Sequence, residues 1–529
     1  MLVKGGGFSG VYATWRLRDE GFKIHLFEGT ERLGGVWSNN TYPGARVDSE
    51  VPFYQLSIPE VYKTWTWSER FPGGQELQAY FDDVDKVLDI QKDATFNARV
   101  NKATFDNELG RWTVQTEQGH VATCKHLLLC TGSTHMQYIP RWEGMNQFAG
   151  TLLHSSKWPK GGVIAHGKRV AVVGSGSTAL QIVQEMAREA KQLVTLIRTP
   201  NMALPMKQQK LSPENQDAMK GFLNGMLRTA ARSAYGGLPC NPPPVASPQM
   251  LSAEEREKFL EELYQRGGFN FAAGNFTTAL LDRKDNRMVY DFWARKTRAR
   301  IRDPVKRDVL APLEPPHPII AKRNGLEHDY YELCDQDHVR VVDLKKTPIE
   351  AFTKAGLMVG GEEIPLDIIV LATGFDTYTG AFSTMGVQGT DGKNLMDQWK
   401  DGVRTHLGLT APYYPNMWMI YGPQAPTALG NGPTIIEVQV DIAVDMIKKI
   451  RGEKIKYLDA RPEAAQAWAD DIAAVSKMML FEDADSWYMG ANVPGKKREI
   501  LNYVKGLVEY DRSCRAAMPD WDGFVVEKE

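Results

Sequence analysis

The feature that most constrains this chain is a tight glycine turn between an apolar strand and a helix, and it occurs twice. The first copy is Gly5-Gly6-Gly7-Phe8-Ser9-Gly10, which fits G-x-G-x-x-G. A helical stretch follows at residues 11–20, then a stop at Gly21, an alternating apolar run at 22–27, and Glu28. Gly5 permits the turn, Gly7 lets the backbone approach a pyrophosphate, and Gly10 lets helix and strand pack closely. The helix N-terminus attracts the phosphate charge. Glu28 stands 28 − 5 = 23 residues past Gly5, close to the roughly 20 expected for an acid that binds ribose hydroxyls. Only Met1 to Lys4 precede the turn, fewer than the roughly 5–6 residues usual in a strand. Lys4 is a poor residue for a central strand. The short start predicts weaker cofactor retention, which β-branched residues added upstream would improve.

The second copy begins with the apolar run Arg169 to Val173 and continues Gly174, Ser175, Gly176, Ser177, Thr178, Ala179. A helix is predicted over 180–191, including Leu180 and Gln181, and a strand over 193–197. Arg198 and Thr199 come next, where an acid would repel a 2′-phosphate and an arginine attracts it. The second nucleotide is therefore expected to be NADP(H). Two apolar strands end in small-residue turns, Cys130-Thr131-Gly132 and Ala372-Thr373-Gly374, which suit crossings between nucleotide units. Residues 212–316 read as polar helices. Ser252 and Glu255 form a capping box, opening a helix that runs to Arg266 and stops at Gly267-Gly268. Residues 241–244 read as a loop. Residues 295–307 carry seven Lys or Arg and one Asp, and a solvated helix face is preferred there to an anion site.

The expected fold is α/β, with two dinucleotide-binding, Rossmann-like domains and a helical insertion. The expected division is a first domain over 1–138, a second over 139–210, the insertion over 211–316, a return to the second domain over 317–365, and a return to the first over 366–529. Composition narrows the function classes. Lys plus Arg number 63 against 65 Asp plus Glu, a net charge of −2, so no global basic field invites nucleic acid. The five cysteines, at 124, 130, 240, 334 and 514, are few and lack metal-ligand spacing. They predict a reducing compartment, no metal and no structural disulfide. The long uncharged run at 407–436 is interrupted by Pro and Gly, so no membrane span is expected. The expected setting is cytoplasmic.

Two further signatures carry a family resemblance. Phe148, Gly150, His154, Trp158 and Pro159 match F-x-G-x-x-x-H-x-x-x-W-P. Gly34, Gly35, Trp37, Tyr42, Pro43, Gly44 and Asp48 match G-G-x-W-x-x-x-x-Y-P-G-x-x-x-D. Together with the order of the two glycine turns, these resemble the type I Baeyer–Villiger monooxygenases. Ala321-Lys322-Arg323 and the segment from Trp487 to Gly495 are similar to that family's active-site arginine segment and nicotinamide-side segment.

The resemblance implies an FAD- and NADPH-dependent enzyme that uses O₂ to insert oxygen beside a ketone, giving an ester or lactone through a flavin peroxide. It places FAD on Gly5, Gly7, Gly10, Glu28, Gly35, Val36, Trp37, Arg46, Val47, Asp48, Tyr54 and Val100. It places NADPH on Gly174 to Gln181, Arg198, Thr199 and Lys322, with Trp487 closing over it. Arg323, oriented by Asp48, would stabilise the anionic oxygen. Phe148, Gly150, His154 and Trp158 would lie in the interdomain linker. Gly432, near the expected mouth, lacks a bulky side chain and points to a roomier or more mobile pocket. Sulfur or nitrogen oxygenation, hydroxylation and epoxidation are alternatives on the same fold, and a non-catalytic NADP-binding protein is a more distant one. A flavin disulfide reductase is rejected, because Cys124 and Cys130 are too far apart for a redox pair.

Overall fold

Each glycine turn follows the central strand of a five-stranded parallel sheet. The computed structural model describes residues 1–238 and 243–529; Cys240 and Asn241 lie outside the described residues. In the first sheet the strand order is Met417–Met419, Leu127–Leu129, Leu2–Lys4, His25–Phe27 and Ala94–Thr95. In the second it is Val339–Asp343, Gln192–Ile197, Arg169–Val173, Ile368–Leu371 and Thr151–His154. Leu127–Leu129 and Ile368–Leu371 are buried throughout, as strands covered on both faces of a parallel sheet must be. The α/β architecture expected from the two turns is therefore present.

Leu2–Lys4 is only three residues long, yet all three pair with both neighbouring strands. The next strand is shorter than its apolar run suggests. Helix Phe8–Asp19 ends with Gly21 at a positive φ, and Phe22 N–H donates to the Leu17 carbonyl. This cap consumes the start of the 22–27 run, so only His25–Phe27 is strand. The second turn's helix is Ser177–Met186, beginning and ending earlier than expected, with Gly176 as its cap.

Helix Phe8–Asp19 shares a core with helix Gly432–Gly452 through Val11, Ala13, Leu17, Val440 and Ile447. Arg16 Nε donates to Asp441 at 2.9 Å beside it. The two chain crossings pair with each other, Met136–Gln137 antiparallel to Phe375–Asp376, so the small-residue turns deliver both crossings to one place.

The insertion contains helices Pro213–Ala231, Ala253–Arg266, Arg283–Arg298 and Pro304–Leu310. The capping box at Ser252 and Glu255 is formed on both sides, and Gly267 terminates that helix. The basic stretch 295–307 is not one solvated helix face. It spans a helix end, a turn and a new helix, and its cations are paired: Arg295 with Glu257, Arg298 with Asp308, Arg300 with Glu327 and Glu332, and Arg302 with Asp335. Strand Ile368–Leu371 belongs to the second sheet, so a boundary drawn by sheet membership falls after Leu371 and not between 365 and 366.

Candidate active site

The first turn lines a cavity of ≈ 570 Å³, within the roughly 300–1,000 Å³ usual for small-molecule sites. Its walls include Gly5 to Ser9, Glu28, Gly35, Val36, Arg99 and Cys130 to Gln137, with Tyr54, Tyr421 and Gly432 also contributing. Gly5 adopts φ +103°, and a Cβ there would collide with the Cys130 carbonyl oxygen; a Cβ on Gly10 would collide with the Gly5 carbonyl oxygen. Both glycines are therefore imposed by backbone closeness, and they leave the turn open toward the cavity. Glu28 accepts from Gly6 N–H at 2.5 Å and from the Thr30 N–H and hydroxyl at 2.7 Å. Its carboxylate stands at the strand end where a ribose is expected. This cradle of glycine backbone, helix N-terminus and acid fits a dinucleotide.

The second signature lies against this cavity. Trp37 is buried and donates its indole N–H to the Tyr54 hydroxyl at 3.0 Å. Val47 is buried, and Val100 begins the strand Val100–Asp106. The Arg46 guanidinium is engaged within the chain, donating to Glu69 at 2.7 Å and to the Phe71 carbonyl at 2.8 Å. Tyr42 and the Arg46 backbone are both tied to Gln181, by Tyr42 O–H to Gln181 Oε1 at 2.9 Å and Gln181 Nε2 to the Arg46 carbonyl at 3.1 Å. Gly44 permits this contact, since a Cβ there would stand 2.8 Å from the Gln181 carbonyl oxygen. The side chain of Gln181 thus joins the two nucleotide units.

Asp48 and Arg323 meet as a bidentate pair, Nε to Oδ2 at 2.6 Å and Nη2 to Oδ1 at 2.8 Å. Arg323 Nη1 donates to the Ala428 carbonyl at 2.5 Å, and the guanidinium lies 4.6 Å from the Phe269 ring centroid. Burial opposes the charge on Arg323, but Asp48 lifts its pKa above the ordinary arginine value. Among the described residues three of the five guanidinium N–H groups have partners, which leaves two for another acceptor. Arg323 does not itself line the cavity. Its charge acts on Tyr54 and Tyr421, which do. Burial raises the Tyr421 phenol to about 12.

The second turn repeats the geometry of the first. Gly174 has φ +129° against the Ala372 carbonyl, and Ser175 Oγ donates to the Thr199 carbonyl at 2.5 Å. Ser177, Thr178, Ala179 and Leu180 form the first turn of the helix that Gly176 caps. Lys322 is close enough to Arg198 for their charges to interact. Its pKa is pushed down to about 8, first by burial, then by Arg198, with Lys345 adding and Asp485 opposing. These cations form a locus suited to a phosphate dianion.

Trp487 packs on Tyr378 at 5.7 Å and Tyr488 at 4.6 Å between centroids. His154 ends strand Thr151–His154, and its Nδ1 lies 2.9 Å from the Ser156 hydroxyl. Burial lowers its pKa. Trp158 is buried, and Gly150 lies against the Asp367 carbonyl and the Phe148 ring. None of these four linker residues is in the cavity wall. Sequence reasoning missed Phe269, Tyr421, Tyr488, Lys345 and Arg99. Phe269 had a legible signal, since it follows the paired glycines that stop a helix.

The flavin-binding monooxygenase-like family model matches residues 1–216. The chain is 42% identical over 533 residues to the FAD-binding monooxygenase acrE of Aspergillus aculeatus, covering 100% of this chain and 89% of that protein. It is 40% identical over 527 residues to the cyclopentanone 1,2-monooxygenase of Comamonas sp., covering 99% and 96%. The crystal structure of cyclohexanone monooxygenase from Rhodococcus sp. Phi1 bound to NADP⁺ superposes with a TM-score of 0.95 at 30% identity, covering 100% and 99%.

Proposed function

Because the chain belongs to the type I Baeyer–Villiger branch of the flavin-binding monooxygenases, we propose that its Asp48–Arg323 pair is the centre at which a ketone is oxygenated. The enzyme is an FAD-containing, NADPH-dependent monooxygenase that inserts one oxygen atom from O₂ beside a ketone carbonyl. FAD, reduced by NADPH, supplies the activated oxygen when bound, and that chemistry belongs to the cofactor.

What the chain adds is placement and charge. FAD would be held by Gly5, Gly7, Gly10, Glu28, Gly35, Trp37 and Tyr54, and NADPH by the turn Gly174 to Thr178 with Arg198, Thr199 and Lys322. Trp487 would cover the nicotinamide side, while Phe148, Gly150, His154 and Trp158 would couple the two domains. The observation that carries the reading is the bidentate pair. Asp48 fixes the guanidinium plane and two N–H groups have no partner among the described residues. A fixed guanidinium stabilises negative charge as it builds on the carbonyl oxygen, with no reorganisation needed at the moment of reaction. Lysine could not reproduce this, because it lacks the planar fork.

Cyclic ketones are the proposed substrates. The name of one close relative specifies cyclopentanone. A cytoplasmic setting goes with this reading, since the described cysteines Cys124, Cys130, Cys334 and Cys514 are buried free thiols. No helix among the described residues is long and apolar enough to cross a membrane. The test is a panel of cyclic and acyclic ketones incubated with enzyme, NADPH and ¹⁸O₂. One labelled oxygen per lactone, formed in step with NADPH consumption, is expected. NADPH consumption that yields only hydrogen peroxide with every ketone would refute the substrate assignment.

A further inference from the structure

Lys4 is the residue that the fold leaves unexplained. It closes the three-residue central strand and immediately precedes Gly5. Its register partners are Phe27 and Leu129. Both belong to the core on the side of the Val100–Asp106 strand, whereas Val3, Leu26 and Leu128 pack on the side of helix Phe8–Asp19. Paired residues of a parallel sheet share a face, so Lys4 points away from that helix. At the strand end this direction meets the cavity, and Lys4 is part of its wall together with Glu28, Arg99, Cys130 and His135.

An ammonium inside a protein ordinarily requires a partner, and Lys4 has none among the described residues. It makes no side-chain hydrogen bond or ion pair among the described residues. Glu28 is the natural candidate, but its Oε2 receives Gly6 N–H and its Oε1 receives both donors of Thr30. The other charges nearby are also engaged, Arg99 with His135 at 3.0 Å and with Glu117 at 3.9 Å. Burial lowers the pKa of Lys4, with Glu28 opposing and Arg99 reinforcing the shift. A cation is thus held at the lip of the glycine turn, with its acceptor still to come from the cavity.

We propose that the Lys4 ammonium binds the AMP-side phosphate of FAD, adding a charged side-chain contact to the backbone N–H groups of the glycine turn. The inference rests on the assignment of FAD to this cavity. Phosphate is favoured over the ribose because Glu28 is the group that would take the ribose hydroxyls, while Lys4 adjoins Gly5 at the start of the pyrophosphate turn.

The test uses deflavinated full-length enzyme titrated with FAD, AMP and adenosine, for wild type, Lys4→Met and Lys4→Arg. Lys4→Met should weaken FAD about tenfold or more, as expected for losing one charge-assisted contact. It should weaken AMP by a similar factor and leave adenosine within about threefold, and Lys4→Arg should keep FAD within about threefold. Unchanged or tighter FAD binding in Lys4→Met would overturn the proposal, as would equal losses for AMP and adenosine. Should Lys4→Met not fold, Lys4→Arg decides, and a tenfold loss of FAD there overturns the proposal. A wild-type protein that bound no FAD would instead overturn the assignment of FAD to the cavity.

Discussion

Lys322 offers a pH test of the nicotinamide cofactor site. Its pKa of about 8, set by burial and by Arg198, means that the free enzyme loses this charge in an accessible range. A bound 2′-phosphate gives the ammonium a partner and raises its pKa. NADPH affinity should therefore be full below pH 8 and fall as pH rises toward the raised value. The phosphate is a dianion above about pH 6, and His317, lowered to about 4 mainly by burial, stays neutral throughout. The window between about pH 6.5 and 8 should be flat. A hydrogen bond to a charged group contributes about 1.5–3 kcal/mol, which at about 1.36 kcal/mol per unit is a rise of roughly one to two pKa units. The Kd for NADPH should then increase about 10- to 100-fold between pH 8 and pH 10. Lys322→Met should show that loss already at pH 7 and no further dependence. NADH, which lacks the phosphate, should show neither effect. Anaerobic rapid-mixing reduction of the flavin at varied NADPH and NADH measures both. An equal pH slope for NADH, or an undiminished NADPH preference in Lys322→Met, would refute the reasoning.

Two perturbations test the scaffold. Gly10→Ala drives a Cβ into the Gly5 carbonyl oxygen, so it should purify largely without FAD and melt at lower temperature; full flavin content measured by absorbance would refute the tight turn. Arg300→Met leaves Glu327, whose side chain is 0% exposed, without its cation, a loss of about 3–5 kcal/mol by analogy with broken buried pairs. A denaturant midpoint equal to the wild type would show that this pair does not hold the insertion in place.

The two parallel sheets were legible because their signal is local. A run such as Arg169 to Val173 ahead of a glycine turn states strand, turn and helix within about 30 residues. Element ends were less legible, because caps draw residues from the flanking runs, as Gly21 and Phe22 do after helix Phe8–Asp19. The pairing of Arg300 with Glu327 and Glu332 was invisible for another reason. Charge patterning along 295–307 describes a helix face, but the acids that neutralise Arg300 come from a segment beyond the insertion. The Asp48–Arg323 contact spans 275 residues and came from the family resemblance, since no periodicity links residues so far apart. What holds Arg323 from its other sides, the Phe269 ring and the Ala428 carbonyl, depends on where two distant loops meet. Only the glycine pair before Phe269 hints at it.

The central claim is that Arg323, oriented by Asp48, serves oxygen transfer and not cofactor binding. The measurement that bears on it most directly is a two-part assay of Arg323→Ala: anaerobic flavin reduction by NADPH, then lactone or ester formation with O₂ and a cyclic ketone. FAD content and reduction should stay within severalfold of wild type, because the glycine turns and Lys322 remain. Product formation should fall by at least about 10²–10³, the usual loss when one preorganised donor is removed. Arg323→Lys should rescue poorly, and Asp48→Ala/Arg323→Ala should be little worse than Arg323→Ala alone, since the pair acts as a unit. Lactone or ester formation by Arg323→Ala at near the wild-type rate would contradict the account.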